Sequence, residues 1–472
     1  MCTLGWLLGA EYPSELIKLQ WKYLIENQAH DSICGCCTDD VHKKIDERFA
    51  SCRDIGTTLL KTYSRAIVRK LNSDKLVLVA FNNAAVKGKQ LVKAEIILPF
   101  DEFQLFDGDG KIIEYQVNKF QKISSAKLGI WASMSKLSST LNKFEISFYA
   151  DFKDNFGFLL YEVRETNDNI RIKNQSCTIK EDNVCFENKF FNIKLYSNGT
   201  MDVFDKEARL QYNKLNILED CGDAGDTYNF SPVQDDLAVT SLGLNGGEIK
   251  LVEDGKVQTI YKVNYNLIVP AKLCDNGKRS NEKVKMPIEM EIKLYSEINR
   301  IDVKTTVENT AMDHRVRVLF NSNVKNDFSL SGTQFGVIKR SNKLDDSMWV
   351  SQKWSEKPMP IYHNQKFVAV TEGNDGLAVL NKDITEYEIY EGVNDNIIAL
   401  TLVRGIGFIG KRELAIRPGR ASGIEMECSG AQCSGTNISE YSIVLFNKSN
   451  TLNEVCKKLT NLIMNHIVYK IN

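Results

Sequence analysis

The sequence predicts a mainly β protein that opens with an α-helical bundle portion and continues as antiparallel β-sandwich (supersandwich) domains. Three observations carry this. Apolar residues recur with a helical period up to about residue 70; the period then drops to two; and short turn signals, not helices, separate the later strands.

Pro13-Ser14-Glu15 marks a helix start, with Ser14 as the expected cap and Glu15 suited to the positive end of the dipole. Ile17, Trp21, Leu24 and Gln28 follow at helical spacing, and Leu16, Leu19 and Tyr23 widen the face expected to be buried. A second start at Thr38-Asp39-Asp40 leads into Val41, Ile45, Phe49, Cys52, Leu59, Tyr63 and Ile67, with Asn72-Ser73-Asp74 as its stop. Residues before Gly9 read as the tail of another helix. Two helices this apolar on one face need a third helix or a neighbouring domain.

Beyond Lys75, Leu76–Phe81 and Glu95–Leu98 read as strands, and Asp107-Gly108-Asp109-Gly110 as a hairpin turn. Ile288, Met290, Ile292 and Leu294 alternate with polar residues, as do Ile301, Val303, Thr305 and Val307, and then Val316, Val318 and Phe320. Asn198-Gly199, Asp254-Gly255 and Asp375-Gly376 supply further turns, and a late helix is expected over 451–466. Strands with one polar face and short connections imply packed antiparallel sheets. The expected divisions are 1–73 for the helical portion, 74–178 for a first sandwich, and 179–472 for a second β region.

The 472 residues carry 60 Lys+Arg against 61 Asp+Glu, so bulk charge favours neither nucleic acid nor anionic membrane. No apolar run approaches the roughly 20 residues that span a bilayer. The opening lacks a basic n-region and meets Glu11 early, which is not a secretory pattern. Twelve scattered cysteines without two CxxC pairs read as reduced thiols in a cytoplasmic protein rather than a zinc ribbon. The sequons at Asn174, Asn198, Asn437 and Asn447 then read as chance.

The stretch Asn27-Gln28-Ala29-His30-Asp31-Ser32-Ile33-Cys34-Gly35 sets an imidazole beside a carboxylate where a helix is expected to give way to a loop. The plain reading is a helix C-terminus followed by a turn; the functional one is a metal or sugar site. Its flank, with Trp21, Lys22, Leu24 and the downstream Asp40-Val41-His42, closely resembles the helical-bundle motif of glycoside hydrolase family 38, the retaining α-mannosidases. Gly222-Asp223-Ala224-Gly225-Asp226-Thr227-Tyr228-Asn229-Phe230-Ser231-Pro232 resembles that family's GD-x-GD-x-YNYSP loop. Asn309 to Arg317, Gly376 to Asn381, Glu386-Tyr387-Glu388, Leu400 to Arg404 and Arg417-Pro418-Gly419 resemble further blocks of bacterial members, in family order.

The resemblance implies that His30 is one of the ligands of a catalytic zinc, that Asp31 contacts a mannose hydroxyl, and that Tyr228 reaches the sugar from the sandwich side. It implies an α-mannoside or oligosaccharide as substrate. The family's aspartate nucleophile and remaining zinc ligands are not found, so no catalytic residue is assigned. The expectation is a C-terminal portion of an α-mannosidase, inactive until an upstream catalytic-domain polypeptide completes it; a homo-oligomer is compatible. The competing reading is a non-catalytic carbohydrate-binding or structural module. Cys34-x-Cys36-Cys37 beside His30 and His42 suggests a soft-metal cluster, Asp223–Asp226 an acidic Ca²⁺ loop, and His314 cross-strand polar packing.

Overall fold

The structure is a computed structural model that describes residues 1–71, 75–82, 86–124, 140–154, 156–167, 177–447 and 451–455, with the backbone of 467–471. Four helices open the chain: α1 (Cys2–Leu7), α2 (Ser14–Glu26), α3 (His30–Ile33) and α4 (Asp39–Lys70). Ser14 is the first helical residue rather than the cap, and it makes no side-chain cap bond. Its hydroxyl turns to the Glu15 carboxylate instead. The stop expected at Asn72-Ser73-Asp74 lies outside the described residues, as do Asn174, Cys456 and most of the expected late helix, of which residues 452–455 are helical.

α4 carries the organisation. Ile45, Leu59, Tyr63 and Ile67 are buried along it at the spacing the sequence suggested, with Val68 beside them, whereas Val41 in the first turn is 40% exposed. α2 lies against its middle: Asn27 Nδ2 donates to Ile45 O (3.0 Å) and Gln20 Nε2 to Cys52 O (2.8 Å). Near its C-terminal end, Ile67 and Val68 pack with Val79 and Phe81 of the first strand. One amphipathic helix thereby joins helical layer to sheet. The apolar face of α2 contradicts its expected burial. No α2 residue is buried, and Trp21 is 57% and Ile25 62% exposed. The periodicity was that of a face awaiting cover, and this chain leaves it open.

The strands form antiparallel sheets. A five-stranded sheet (order 467–471, Val77–Asn82, Gly157–Glu165, Phe103–Phe106, Ile112–Ile113) faces a three-stranded one (Gly88–Leu98, Thr140–Phe152, Tyr115–Ser124). Leu78, Val92, Ile96, Phe103, Phe144 and Phe148 fill the space between them. The strand Ile467–Ile471 pairs with Val77–Phe81, so the chain returns at its end to the first sandwich. The second region holds four-, six- and ten-stranded sheets around one large core. Every alternating position named above, from Ile288 to Phe320, is buried there. The Asn198-Gly199 turn has Gly199 at φ +79°. The Asp375-Gly376 turn is displaced: both residues already belong to a strand, and Gly373-Asn374 make the turn. Among the described residues no helix is long and apolar enough to cross a membrane.

Candidate functional site

The Gly222–Pro232 loop leaves the end of strand Ile217–Gly222 and is built around two fully buried carboxylates. Asp223 Oδ1 accepts from Gly225 N (2.8 Å) and Ser231 N (3.1 Å), and its Oδ2 from Arg404 Nε (2.6 Å). Asp226 Oδ1 accepts from Tyr228 N (3.0 Å) and Asn229 N (2.9 Å), and its Oδ2 from Arg417 Nη2 (2.5 Å) and Lys411 N (2.9 Å). Arg404 Nη2 closes the loop on Asp226 O and Asn229 O, both at 2.7 Å. Gly225 has no alternative, since a Cβ there would lie 1.9 Å from Asn229 O.

All four carboxylate oxygens are thus committed to N–H donors. That removes the Ca²⁺-loop reading: hard-cation sites need free oxygens, and these organise a turn. The spacing of the two Gly-Asp pairs serves to present Tyr228.

Tyr228 sits half-buried at the loop's tip. Burial raises its phenol pKa, and the Asp31 carboxylate adds to the shift. The hydroxyl therefore stays protonated and available as a donor. Its ring lies over Gly423, where an added Cβ would fall 2.6 Å from Cε2. Gly423 carries no signal in the sequence. Cys36, buried in the turn after α3, reaches the same loop with its Sγ 3.6 Å from Thr227 O.

His30 and Asp31 do not end α2. Ala29 is extended (φ −52°, ψ 134°), and the pair opens the separate turn α3. The His30 side chain is 93% and that of Asp31 52% exposed, with Nε2 3.5 Å from Asp31 Oδ1. The imidazole is therefore unburdened by packing. The Asp31 carboxylate is near enough to Tyr228 to act on its phenol electrostatically, which brings the helical motif and the loop motif to one seam between helices and sandwich.

Asp39, the first residue of α4, holds this seam. It accepts from Cys428 Sγ (3.0 Å), Gly430 N (3.1 Å) and Ser429 Oγ (3.3 Å). Cys34, Asp39, His42, Thr227, Arg404 and Cys433 line a cleft of about 850 Å³ beside it. The Cys428 and Gly430 hydrogen bonds hold the Asp39 carboxyl below its ordinary value. A carboxyl with a depressed folded-state pKa stabilises above its unfolded-state value and loses that contribution as pH falls through the folded one. Asp39→Asn is therefore expected to lower the urea midpoint at neutral pH, with the gap from wild type closing below about pH 4. A gap independent of pH would remove Asp39 ionisation from the docking.

Burial raises the thiols of Cys36 and Cys37, and Cys428 is pushed up to about 11, first by burial and then by its bond to Asp39. Protonated thiols are poor soft-metal ligands. Among the described residues no three His, Cys, Asp or Glu gather in a way that could hold a metal ion.

His314 is buried between Asp220 (Nδ1–Oδ2 2.5 Å) and Asn309 Oδ1 (2.9 Å from Nε2). This is cross-strand polar packing, with Arg279 also on Asp220. Asn309 Nδ2 continues to Gln432 O (2.9 Å), and Asp313 O receives Asp223 N (2.9 Å), so the Asn309–Arg317 block props the loop's base. Arg315 stacks on Phe230 at 3.6 Å from the ring centroid.

The site thus consists of a helical layer docked on β-sandwiches, with a buried-carboxylate loop presenting Tyr228 at its tip near the exposed His30-Asp31 pair. Residues 186–408 match the family model described as Glycosyl hydrolases family 38 C-terminal domain. It is 25% identical to a Halalkalibacterium halodurans protein provisionally named mannosylglycerate hydrolase, over 92% of this chain and 50% of that protein. A shorter stretch, 23% of this chain and 9% of the other, is 29% identical to a Saccharomyces cerevisiae alpha-mannosidase. Two Enterococcus faecalis crystal structures share the fold. A protein in glycosyl hydrolase family 38 superposes with a TM-score of 0.81 at 21% identity, covering 100% of this chain and 57% of that one. An alpha-mannosidase superposes at 0.79 and 22% identity, covering 99% of this chain and 55% of that one. The chain spans about half the length, or less, of the curated relatives it matches.

Proposed function

We propose that this polypeptide supplies the helical and sandwich side of a retaining, zinc-dependent α-mannosidase site that removes terminal α-D-mannosyl residues from oligosaccharides in the cytoplasm. The observation that carries it is that the turn holding His30 and Asp31 lies against the Tyr228 loop, with Cys36 Sγ 3.6 Å from Thr227 O, the Asp31 carboxylate acting on the Tyr228 phenol, and His30 exposed. On this reading Asp31 accepts a hydrogen bond from a sugar hydroxyl, and Tyr228 donates one from the opposite side. Asp223, Asp226, Arg404 and Arg417 hold Tyr228 in place. His30 gives one ligand to zinc, which when bound orients sugar hydroxyls and steadies charge changing at the ring. The nucleophile and acid/base, which retention requires about 5 Å apart, come from residues outside these 472, as do the remaining zinc ligands. Half-length coverage of the relatives supports that division.

Co-expression with the missing half of such an enzyme, assayed on a chromogenic α-mannoside and on mannosylglycerate, tests the proposal. Zinc-dependent turnover is expected from the pair and none from the chain alone. Turnover by the chain alone, unaffected by Asp31→Ala, would overturn it. A folded, soluble and inactive pair that still binds mannose would favour the non-catalytic carbohydrate-binding reading.

A further inference from the structure

The four-stranded sheet of Leu210–Leu215, Met201–Asp205, Phe191–Tyr196 and Asn183–Glu187 has one face in the core and one in solvent. Phe191, Ile193, Leu195, Met201, Val203 and Tyr212 all turn inward and are buried. The outward positions are polar apart from Cys185 on the edge strand, Tyr196 at one strand end and the central Phe204, whose ring is only partly covered. Register places it directly between two exposed amides: Asn192 pairs with Phe204 on one side, and Gln211 on the other. In the next row Lys194 pairs with Asp202, and Asn213 lies beyond. These residues line a groove of about 670 Å³. Asp202 is held in place by Lys214 N (2.9 Å) and the Tyr196 hydroxyl (2.7 Å), which fixes the polar edge of the groove.

An apolar ring ringed by amides and a braced carboxylate matches the two-sided chemistry of a hexose. The sugar's C–H face covers the ring, and its rim of hydroxyls both donates and accepts, as amides do. Lys194 offsets Asp202, so the face carries no strong field that would select an anion. Phe204 and Tyr196 are roughly 13 Å apart along the strand direction, four residues at about 3.3 Å each, which suits a chain of sugars rather than one. We propose that this face is a second saccharide-binding site, separate from the seam around Asp31 and Tyr228, that takes a neutral hexose oligosaccharide.

Titration of mannotriose, with maltotriose as a second probe, into the full chain by isothermal calorimetry tests this. Saturable binding of at least one probe is expected, weakened at least tenfold by Phe204→Ala. The surface pair Asn192→Ala with Gln211→Ala is expected to weaken it several-fold at an unchanged thermal midpoint, and Tyr228→Ala to leave it intact. Absence of saturable binding to both probes would overturn the site. So would binding that survives the double amide variant, or that disappears with Tyr228→Ala and so belongs to the seam.

Discussion

Replacing Arg417 by alanine is expected to lower the unfolding free energy by about 3–5 kcal/mol, among the largest losses available in this chain. Arg417 and Asp226 are both fully buried, joined at 2.5 Å, and drawn from positions 191 residues apart. Truncating the guanidinium leaves a carboxylate with no water to solvate it and only backbone N–H groups to meet its charge. It also frees the Arg420 carbonyl that Arg417 Nη1 now reaches at 2.6 Å. Arg412→Ala is the control: its partner Glu425 is exposed, so the change should be below about 1 kcal/mol. Asp226→Asn combined with Arg417→Met should recover much of the loss, because the damage lies in the stranded charge rather than in the missing pair. Urea midpoints of the three variants against wild type decide it. An Arg417→Ala midpoint as close to wild type as that of Arg412→Ala would mean that water reaches Asp226.

That pair also shows what sequence reasoning could and could not reach. Asp226 and Arg417 each stood in a motif block, but a spacing of Gly-Asp pairs reads equally well as a ligand loop or as a braced turn. Only the positions of the donors tell which. The β region was legible because each of Ile288, Met290 and Ile292 must choose a face, and a one-residue slip would expose them all. The helices were legible as helices but not in their surroundings. Leu16, Leu19 and Trp21 belong to a stripe that predicts burial, yet all three are exposed, and periodicity cannot say whether the covering surface lies in the same chain. His30 and Asp31 were misplaced by one element because Ala29 breaks the helix through its extended backbone, without the Gly or Pro that usually announces a break. Gly423 was silent, since a glycine chosen to admit a ring from two hundred residues away leaves no local trace.

The second large effect follows from the proposed mannosidase function and is read in the co-expressed pair. Asp31→Ala is expected to reduce kcat/KM by roughly ten- to 150-fold, the equivalent of about 1.5–3 kcal/mol for one hydrogen bond to a charged group. Tyr228→Phe, which removes a neutral donor, should cost less, on the order of 1 kcal/mol or about fivefold. Gly423→Ala separates contact from position. Its Cβ would meet the Tyr228 ring at 2.6 Å, a conflict the side chain can relieve by swinging away, so stability should hold while kcat/KM falls about as far as in Tyr228→Phe. Combining Gly423→Ala with Tyr228→Phe should then add little, since both remove one placed hydroxyl. Full additivity would mean that Gly423 acts on something other than the tyrosine. Unchanged kcat/KM in Asp31→Ala would remove the carboxylate from the sugar altogether, leaving His30 without the neighbour that makes it more than a surface histidine.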